Sequence, residues 1–295
     1  MAEVKAAAPT EAPRRRVREM EVEVVRVRRD TPDTSTLFLS SDTCDYRAGH
    51  FLTIDPHQFV PLESFTSFLE DVKGQREKPR AYSLASAPHE PHLAITIKAE
   101  TYIRGETPYP PLLSPLLTYQ ITTGTRLKVR GFTGAYTWPP DITARTERVA
   151  HVCAGSGIVP NFALIKDSLH HGDGLHHTLL YSSKTRQDII YFDELEKLQR
   201  DHPAHLRVIH CITREDPAGL HNGRPGRITR DLLAEVIADP RNAFAFLCGP
   251  GISPYERKAA RGRGEEPAPR FVEHMAALVE GIGLGKQQVK RESWG

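Results

Sequence analysis

The chain has 295 residues, 39% of them hydrophobic, a length and composition that favour two domains with ordinary cores. A net charge of +2 gives no excess that would argue for nucleic acid or an anionic membrane as partner. No stretch reaches the length of a membrane span, and the basic N-terminus has no apolar signal region; Cys44, Cys153, Cys211 and Cys248 are scattered without a C-x-x-C, which argues against an iron–sulfur or cysteine-rich zinc site and fits a reducing cytoplasm.

Residues 1–19 are rich in Ala, Pro, Glu and Arg and read as a mobile tail, with Arg14, Arg15 and Arg16 as a solvated charge run or a contact for an acidic partner. From Met20 the pattern changes. Residues 21–27 alternate as a half-buried strand does, and residues 36–39, 50–54, 93–98 and 126–129 continue the theme. Short strands separated by Pro, Gly and Asp predict an antiparallel barrel or sandwich over residues 20–145. Residues 56–79 are longer than a hairpin loop and read as an insertion.

After residue 145 the rhythm becomes βαβα, over residues 146–295. Strands are expected at 148–152, 177–181, 206–212 and 243–247, and helices over 161–169, 191–198, 229–237 and about 271–282, each with apolar residues at helical spacing. The alternation predicts a parallel sheet covered by helices. Residues 253–269 read as a charged surface insertion. The histidine-rich run 170–177 looks like a metal site, but it falls between a helix and a strand on the expected surface, where nothing makes side chains converge.

Three short stretches carry chemistry. In Gly155-Ser156-Gly157 a strand runs into a glycine turn that opens a helix. Two missing side chains let a ligand approach the backbone, and the helix N-terminus beyond suits a phosphate. Pro160 fits the first helical turn. Taken alone, this is equally a tight strand–helix turn with no ligand. Arg80-Ala81-Tyr82-Ser83 alternates on a strand, placing a cation and an aromatic on one face beside a serine; Arg pairs with phosphate and Tyr packs on a ring. Cys248-Gly249-Pro250 ends an apolar strand at the carboxyl edge of the expected parallel sheet, the edge along which such sheets bind ligands.

In this order, R-x-Y-S, G-x-G-x-x-P and C-G-P resemble the ferredoxin–NADP reductase superfamily over about residues 20–295. The resemblance implies a flavin-binding antiparallel β-barrel followed by a Rossmann-like α/β nucleotide domain, with FAD and NADP as cofactors. It implies Arg80 on a flavin phosphate, Tyr82 stacked on the ring and Ser83 near its reactive edge. Gly49-His50-Phe51 resembles the family's G-Q-F stretch, Ile97-Lys98 its pair at the pyrophosphate, and Leu113-Ser114 its phosphate-binding segment, with Pro110 and Pro111 where the family carries a glycine. Residues 131–136 resemble the turn that closes the barrel. Gly155, Ser156 and Gly157 would face the nucleotide pyrophosphate. Ser182, Ser183, Arg186, Thr213 and Arg214, with Lys184, would hold a 2′-phosphate, where an NAD site would carry an acidic group. Cys248 would lie by the nicotinamide, Trp294 would cover the flavin face, and Glu292 would serve a proton or electrostatic role. The implied activity is NADPH-dependent reduction of FAD, with electrons passed to a separate ferredoxin, flavodoxin, haem protein or oxygenase component. Two other readings remain: a reductase of a quinone or free flavin, and a flavin-free scaffold subunit.

Overall fold

The computed structural model describes residues 17–40, 45–104 and 107–294. Arg14, Arg15 and Arg16, Cys44 and Gly295 lie outside them.

The first sheet grows from β1 (Arg18–Thr31), where Val22 and Val24 turn into the core and Glu21 and Glu23 face water. The strand starts inside the stretch read as tail. It pairs antiparallel with β2 (Thr34–Leu39) on one side. β3 (Phe51–Ile54) follows, then three helical pieces, the longest of them α1 (Glu63–Lys73), which fill the insertion at 56–79. Next come β4 (Arg80–Ser83), β5 (Leu93–Lys98), the short α2 (Ser114–Tyr119) and β6 (Arg126–Thr133). The strand order is β4-β3-β6-β1-β2-β5, and a bridge between Leu84 and Ile95 joins the two edges, so the sheet closes into a barrel. Its core holds Leu37, Leu52, Ile54, Ile95, Leu117 and Leu127.

After α3 (Ile142–Arg145) comes the second sheet: β7 (Arg148–Ala154), α4 (Ile158–His171), β8 (His176–Ser183), α5 (Phe192–Asp201), β9 (Leu206–Ile212), β10 (Gly223–Pro225), α6 (Arg230–Val236), β11 (Phe244–Pro250), α7 (Pro254–Gly262), α8 (Phe271–Gly281) and β12 (Val289–Trp294). All neighbours in the order β10-β9-β8-β7-β11-β12 are parallel. Strands β7, β8, β9 and β11 are buried over most of their length because helices cover both faces. α4 and α5 pack on one face with Leu179, Tyr181 and Val208; α6 and α8 pack on the other with Val152, Leu180 and Ile209. The first of these clusters also takes in Ala85 and Ala94 of the barrel, so the two halves share a core.

Two strands have no counterpart in the pattern-based reading. β10 is three residues of low apolarity. β12 reads Val-Lys-Arg-Glu-Ser-Trp, too polar for a buried strand, and pairs only with β11 at the sheet edge. The histidine run is also not uniformly on the surface: His177 is 2% exposed. Its position on β8 turns it inward while His176 faces water.

Candidate functional site

The glycine turn is fixed from behind. Gly157 backs onto the end of β11 so closely that a Cβ there would lie 2.1 Å from the Cys248 carbonyl oxygen. Gly155 has φ +55° and open space where a Cβ would stand. Its carbonyl accepts from Tyr181 Oη at 3.0 Å, and the Gly157 carbonyl accepts from Asn161 Nδ2 at 2.8 Å. Pro160 sits in the first turn of α4 and is buried with Ile158 and Val159. Ser156 is half-buried.

Strand pairing then assembles one end of the cleft. β11 and β12 run in register, Cys248 beside Glu292 and Pro250 beside Trp294, and the Gly251 N–H donates to the Trp294 carbonyl at 3.0 Å. Across the boundary, Ser83 Oγ of β4 donates to Glu292 Oε1 at 2.9 Å. Burial raises the Glu292 carboxyl above the usual carboxylate range, partly offset by the Ser83 bond. Cys248 is fully buried, and desolvation with nearby Glu292 pushes its thiol well up, so it is a neutral, apolar group here. Trp294 packs half-buried on the cluster of Ala48, Tyr136, Phe246 and Cys248. Gly249 leaves room for the Phe271 ring, which a Cβ would meet at 2.5 Å.

The barrel end is more open. The Arg80 guanidinium pairs with Glu77 at 2.5 Å and also donates to the Lys78 carbonyl, leaving further donors unused. Tyr82 packs half-buried against the barrel core, and burial with the charge of Glu100 raises its phenol. Ser114 Oγ accepts from the Glu100 N–H at 3.1 Å, so Arg80, Tyr82, Glu100 and Ser114 belong to one neighbourhood. His50 is buried and its Nδ1 accepts from the Arg47 N–H at 3.2 Å.

Other expected site residues face elsewhere. The side chains of Ile97 and Leu113 lie in the barrel core, 1% and 2% exposed, and the Ile97 carbonyl accepts from Thr118. Alternation along β5 turns Ile97 inward, so only its backbone could meet a ligand. Lys98 reaches the β1–β2 turn, where Asp33 holds it at 2.6 Å. Thr213 donates twice to the Ser183 carbonyl, which ties the two loops after β8 and β9 together, and the Arg214 N–H donates to the Lys184 carbonyl at 2.9 Å. Ser183 is buried and Ser182 half-buried, while Arg186, Arg214 and Lys184 are exposed. A carboxylate is present as well: Glu215 accepts from the Arg186 N–H.

Pattern reading missed Tyr181, Asn161 and Tyr136 as supports of the turn. Asn161 alone left a trace: a fully polar amide in the apolar opening of a helix that should bury that face.

Residues 152–253 match the family model described as an oxidoreductase NAD-binding domain. The chain is 26% identical over 242 residues to NADH-cytochrome b5 reductase 2 of Coccidioides immitis, covering 80% of this chain and 69% of that protein. It spans about half the length of other curated relatives of that name, 51% and 47% in two fungal examples. In fold it is similar to the FAD/NAD-binding domain of nitric oxide dioxygenase from Vibrio cholerae, with TM-score 0.69 and 18% identity over 93% of this chain and 98% of that one. It is likewise similar to ferredoxin-NADP+ reductase from Plasmodium falciparum, with TM-score 0.65 and 16% identity over 94% and 96%.

Proposed function

We propose that this chain, a member of the ferredoxin–NADP reductase superfamily, is a flavoprotein reductase that oxidises a reduced pyridine nucleotide and hands the electrons to a separate protein acceptor. The observation that carries the reading is the Ser83–Glu292 hydrogen bond of 2.9 Å, which joins the R-x-Y-S strand to the strand beside the C-G-P turn. The residues present fit FAD: an arginine with free donors, a half-buried tyrosine and a serine hydroxyl lie on one strand, and the glycine turn is open at Gly155.

FAD, when bound, supplies the conversion between two-electron and one-electron transfer. The chain supplies the rest. Arg80 binds a flavin phosphate, Tyr82 packs on the ring, and the Gly155–Gly157 turn takes the nucleotide pyrophosphate. Cys248 and Trp294 keep water from the junction. Glu292, whose carboxyl is raised by burial, accepts from Ser83 Oγ and would serve a proton or electrostatic role there. Positioning the two rings against each other would account for much of the rate.

The nucleotide in this reading is NADPH, on the exposed Lys184, Arg186 and Arg214. A second reading is NADH, favoured by Glu215 at the Arg186 N–H, where a carboxylate suits a ribose hydroxyl. The acceptor class includes ferredoxin, flavodoxin, an oxygenase component or a haem protein; the name of the Coccidioides relative favours the last. No helix among the described residues is long and apolar enough to cross a membrane. Few, separated cysteines keep the cytoplasm as the proposed setting.

The test is an anaerobic titration of the purified yellow protein with NADPH and with NADH, followed by cytochrome b5, ferredoxin or quinone. Bleaching at lower NADPH concentration and faster turnover with a protein acceptor support the first reading. Preference for NADH that is lost in Glu215→Ala selects the second. A colourless protein that cannot be reconstituted with FAD would leave the scaffold.

A further inference from the structure

Behind the glycine turn, buried polar groups form an unbroken line to the far end of α4. Asn161 Nδ2 donates to the Gly157 carbonyl at 2.8 Å, and Tyr136 Oη donates to Asn161 Oδ1 at 3.1 Å. His151 Nδ1 lies 2.9 Å from the same Oδ1, His151 Nε2 lies 3.2 Å from His177 Nδ1, and His177 Nε2 lies 2.8 Å from Ser168 Oγ. Ser168 Oγ in turn stands 2.7 and 2.8 Å from the two carboxylate oxygens of Asp173. Asn161 and His151 are 0% exposed, and Ser168 and His177 are 2% exposed.

The protons in this line can be assigned one after another. A carbonyl only accepts, so Asn161 turns its NH2 to Gly157 and its Oδ1 to His151. An amide oxygen only accepts, so His151 carries its proton on Nδ1. Neutral His151 then has a bare Nε2 facing His177 Nδ1. From the other end, the Asp173 carboxylate only accepts, so Ser168 donates its hydroxyl proton there and takes the Nε2 proton of His177. Neutral His177 is then bare at Nδ1, and the 3.2 Å contact between the two imidazoles is the one left without a proton. Three neutral groups supply three protons to four contacts.

We propose that Asn161 is a positioning residue for the nucleotide-binding turn, and that the Asp173–Ser168–His177–His151 line which fixes its amide binds one proton more than its neutral groups carry. The positioning role rests on the reading of the turn as a nucleotide site. The fourth proton sits between His151 Nε2 and His177 Nδ1, and the Asp173 carboxylate, reached through Ser168, balances it. Burial pushes His151 down to about 4, and burial with the neighbouring His151, His205 and His176 pushes His177 well below its usual range. The surrounding charges come from Asp167, His170 and His171 on α4, His176 on β8, His205 ahead of β9, and Arg47. Trp138 closes the line from the barrel side, its ring centroid 6.1 Å from His151 and 5.9 Å from His177.

The test uses the full chain with FAD, labelled with 15N in histidine. His151 is expected to show the Nδ1–H form, the minor tautomer of free histidine, and His177 to carry Nε2–H towards Ser168, with one further proton held between the two rings that Asp173→Asn, which removes the balancing charge, does not hold. Nucleotide affinity is then measured with NADP+ and NAD+ as probes. Asn161→Asp faces Gly157 with a carboxylate, so its affinity should fall about tenfold at pH 8 and recover as the pH is lowered, while the wild type stays flat. A His151 ring without Nδ1–H, or an Asn161→Asp protein that binds like wild type at every pH, would overturn the proposal. Wild-type protein with the expected tautomers but no affinity for either nucleotide would overturn the positioning role together with the reductase reading, and leave the proton assignment standing.

Discussion

The two walls of the cleft are built on opposite plans. The glycine turn is over-determined: both glycine carbonyls are held by buried side chains, and Gly157 is pressed against the Cys248 carbonyl. The β4 wall is lightly held. Arg80 is tied by an ion pair to Glu77 with 39% of its side chain exposed, and Ala81 faces water. The contrast separates two kinds of site residue. At the turn, the groups that shape the ligand face also hold the sheet together, so fold and binding fail together. On β4, a side chain can be removed without moving backbone, so its effect on the ligand can be read apart from its smaller effect on the fold.

The sharpest break is Gly157→Ala. A methyl group 2.1 Å from a carbonyl oxygen requires the turn and the end of β11 to separate. Overpacking of this kind costs about 1–3 kcal/mol or more, and the moved atoms are backbone on both sides. Chemical denaturation should show that loss, and nucleotide affinity should fall at least as far. On the opposite wall, Arg80→Ala leaves the buried Glu77 carboxylate with Lys73 as its remaining partner and should cost about 1–2 kcal/mol of stability. FAD retention, read by absorbance after gel filtration, should nonetheless weaken about tenfold or more, because a charge-assisted phosphate contact is lost. If Arg80→Ala keeps its flavin, the guanidinium does not serve the phosphate. Gly155→Ala falls between the walls in character. No atom stands within 4 Å of the new Cβ, so the cost is the left-handed backbone at φ +55°, about 1–2 kcal/mol. Two glycines two residues apart should therefore separate in a melt, Gly157→Ala lower than Gly155→Ala.

The same contrast explains what was legible in the sequence. Strands such as 206–212 and the helix at 271–281 were readable because burial on both faces, or on one stripe, imposes a pattern along the chain itself. The glycine turn was readable because only glycine tolerates φ +55° and contact at 2.1 Å. β12 was not readable, because an edge strand gets its conformation from pairing with β11 and not from its own residues. Nor was the inward turn of His177, since a histidine is written the same way whether it is solvated or locked between His151 and Ser168. Ile97 and Lys98 show the converse. The resemblance implies a pyrophosphate contact for this pair; in the fold, alternation on β5 turns the Ile97 side chain into the core and Asp33 pairs with Lys98, so neither setting could be read from the pair itself.

Glu292 gives the smallest expected effect and tests whether the two walls touch as described. Its carboxyl is raised by burial above the ordinary value of 4.5, with Ser83 pulling the other way. The folded state therefore holds this proton more tightly than the unfolded chain does. The stability this group contributes is present in full below pH 4.5 and is lost as the pH rises through the raised folded value. Glu292→Gln keeps a partner for Ser83 and has no proton to lose, so its unfolding free energy should fall less than that of the wild type across that window. Ser83→Ala removes the bond that favours the charged form, so the decline should move to higher pH. Both shifts require the carboxylate of β12 to sit against the serine of β4. Identical pH profiles for wild type, Glu292→Gln and Ser83→Ala would mean that the two walls do not meet at this bond, and the argument for a flavin and a nucleotide sharing the cleft would lose its anchor.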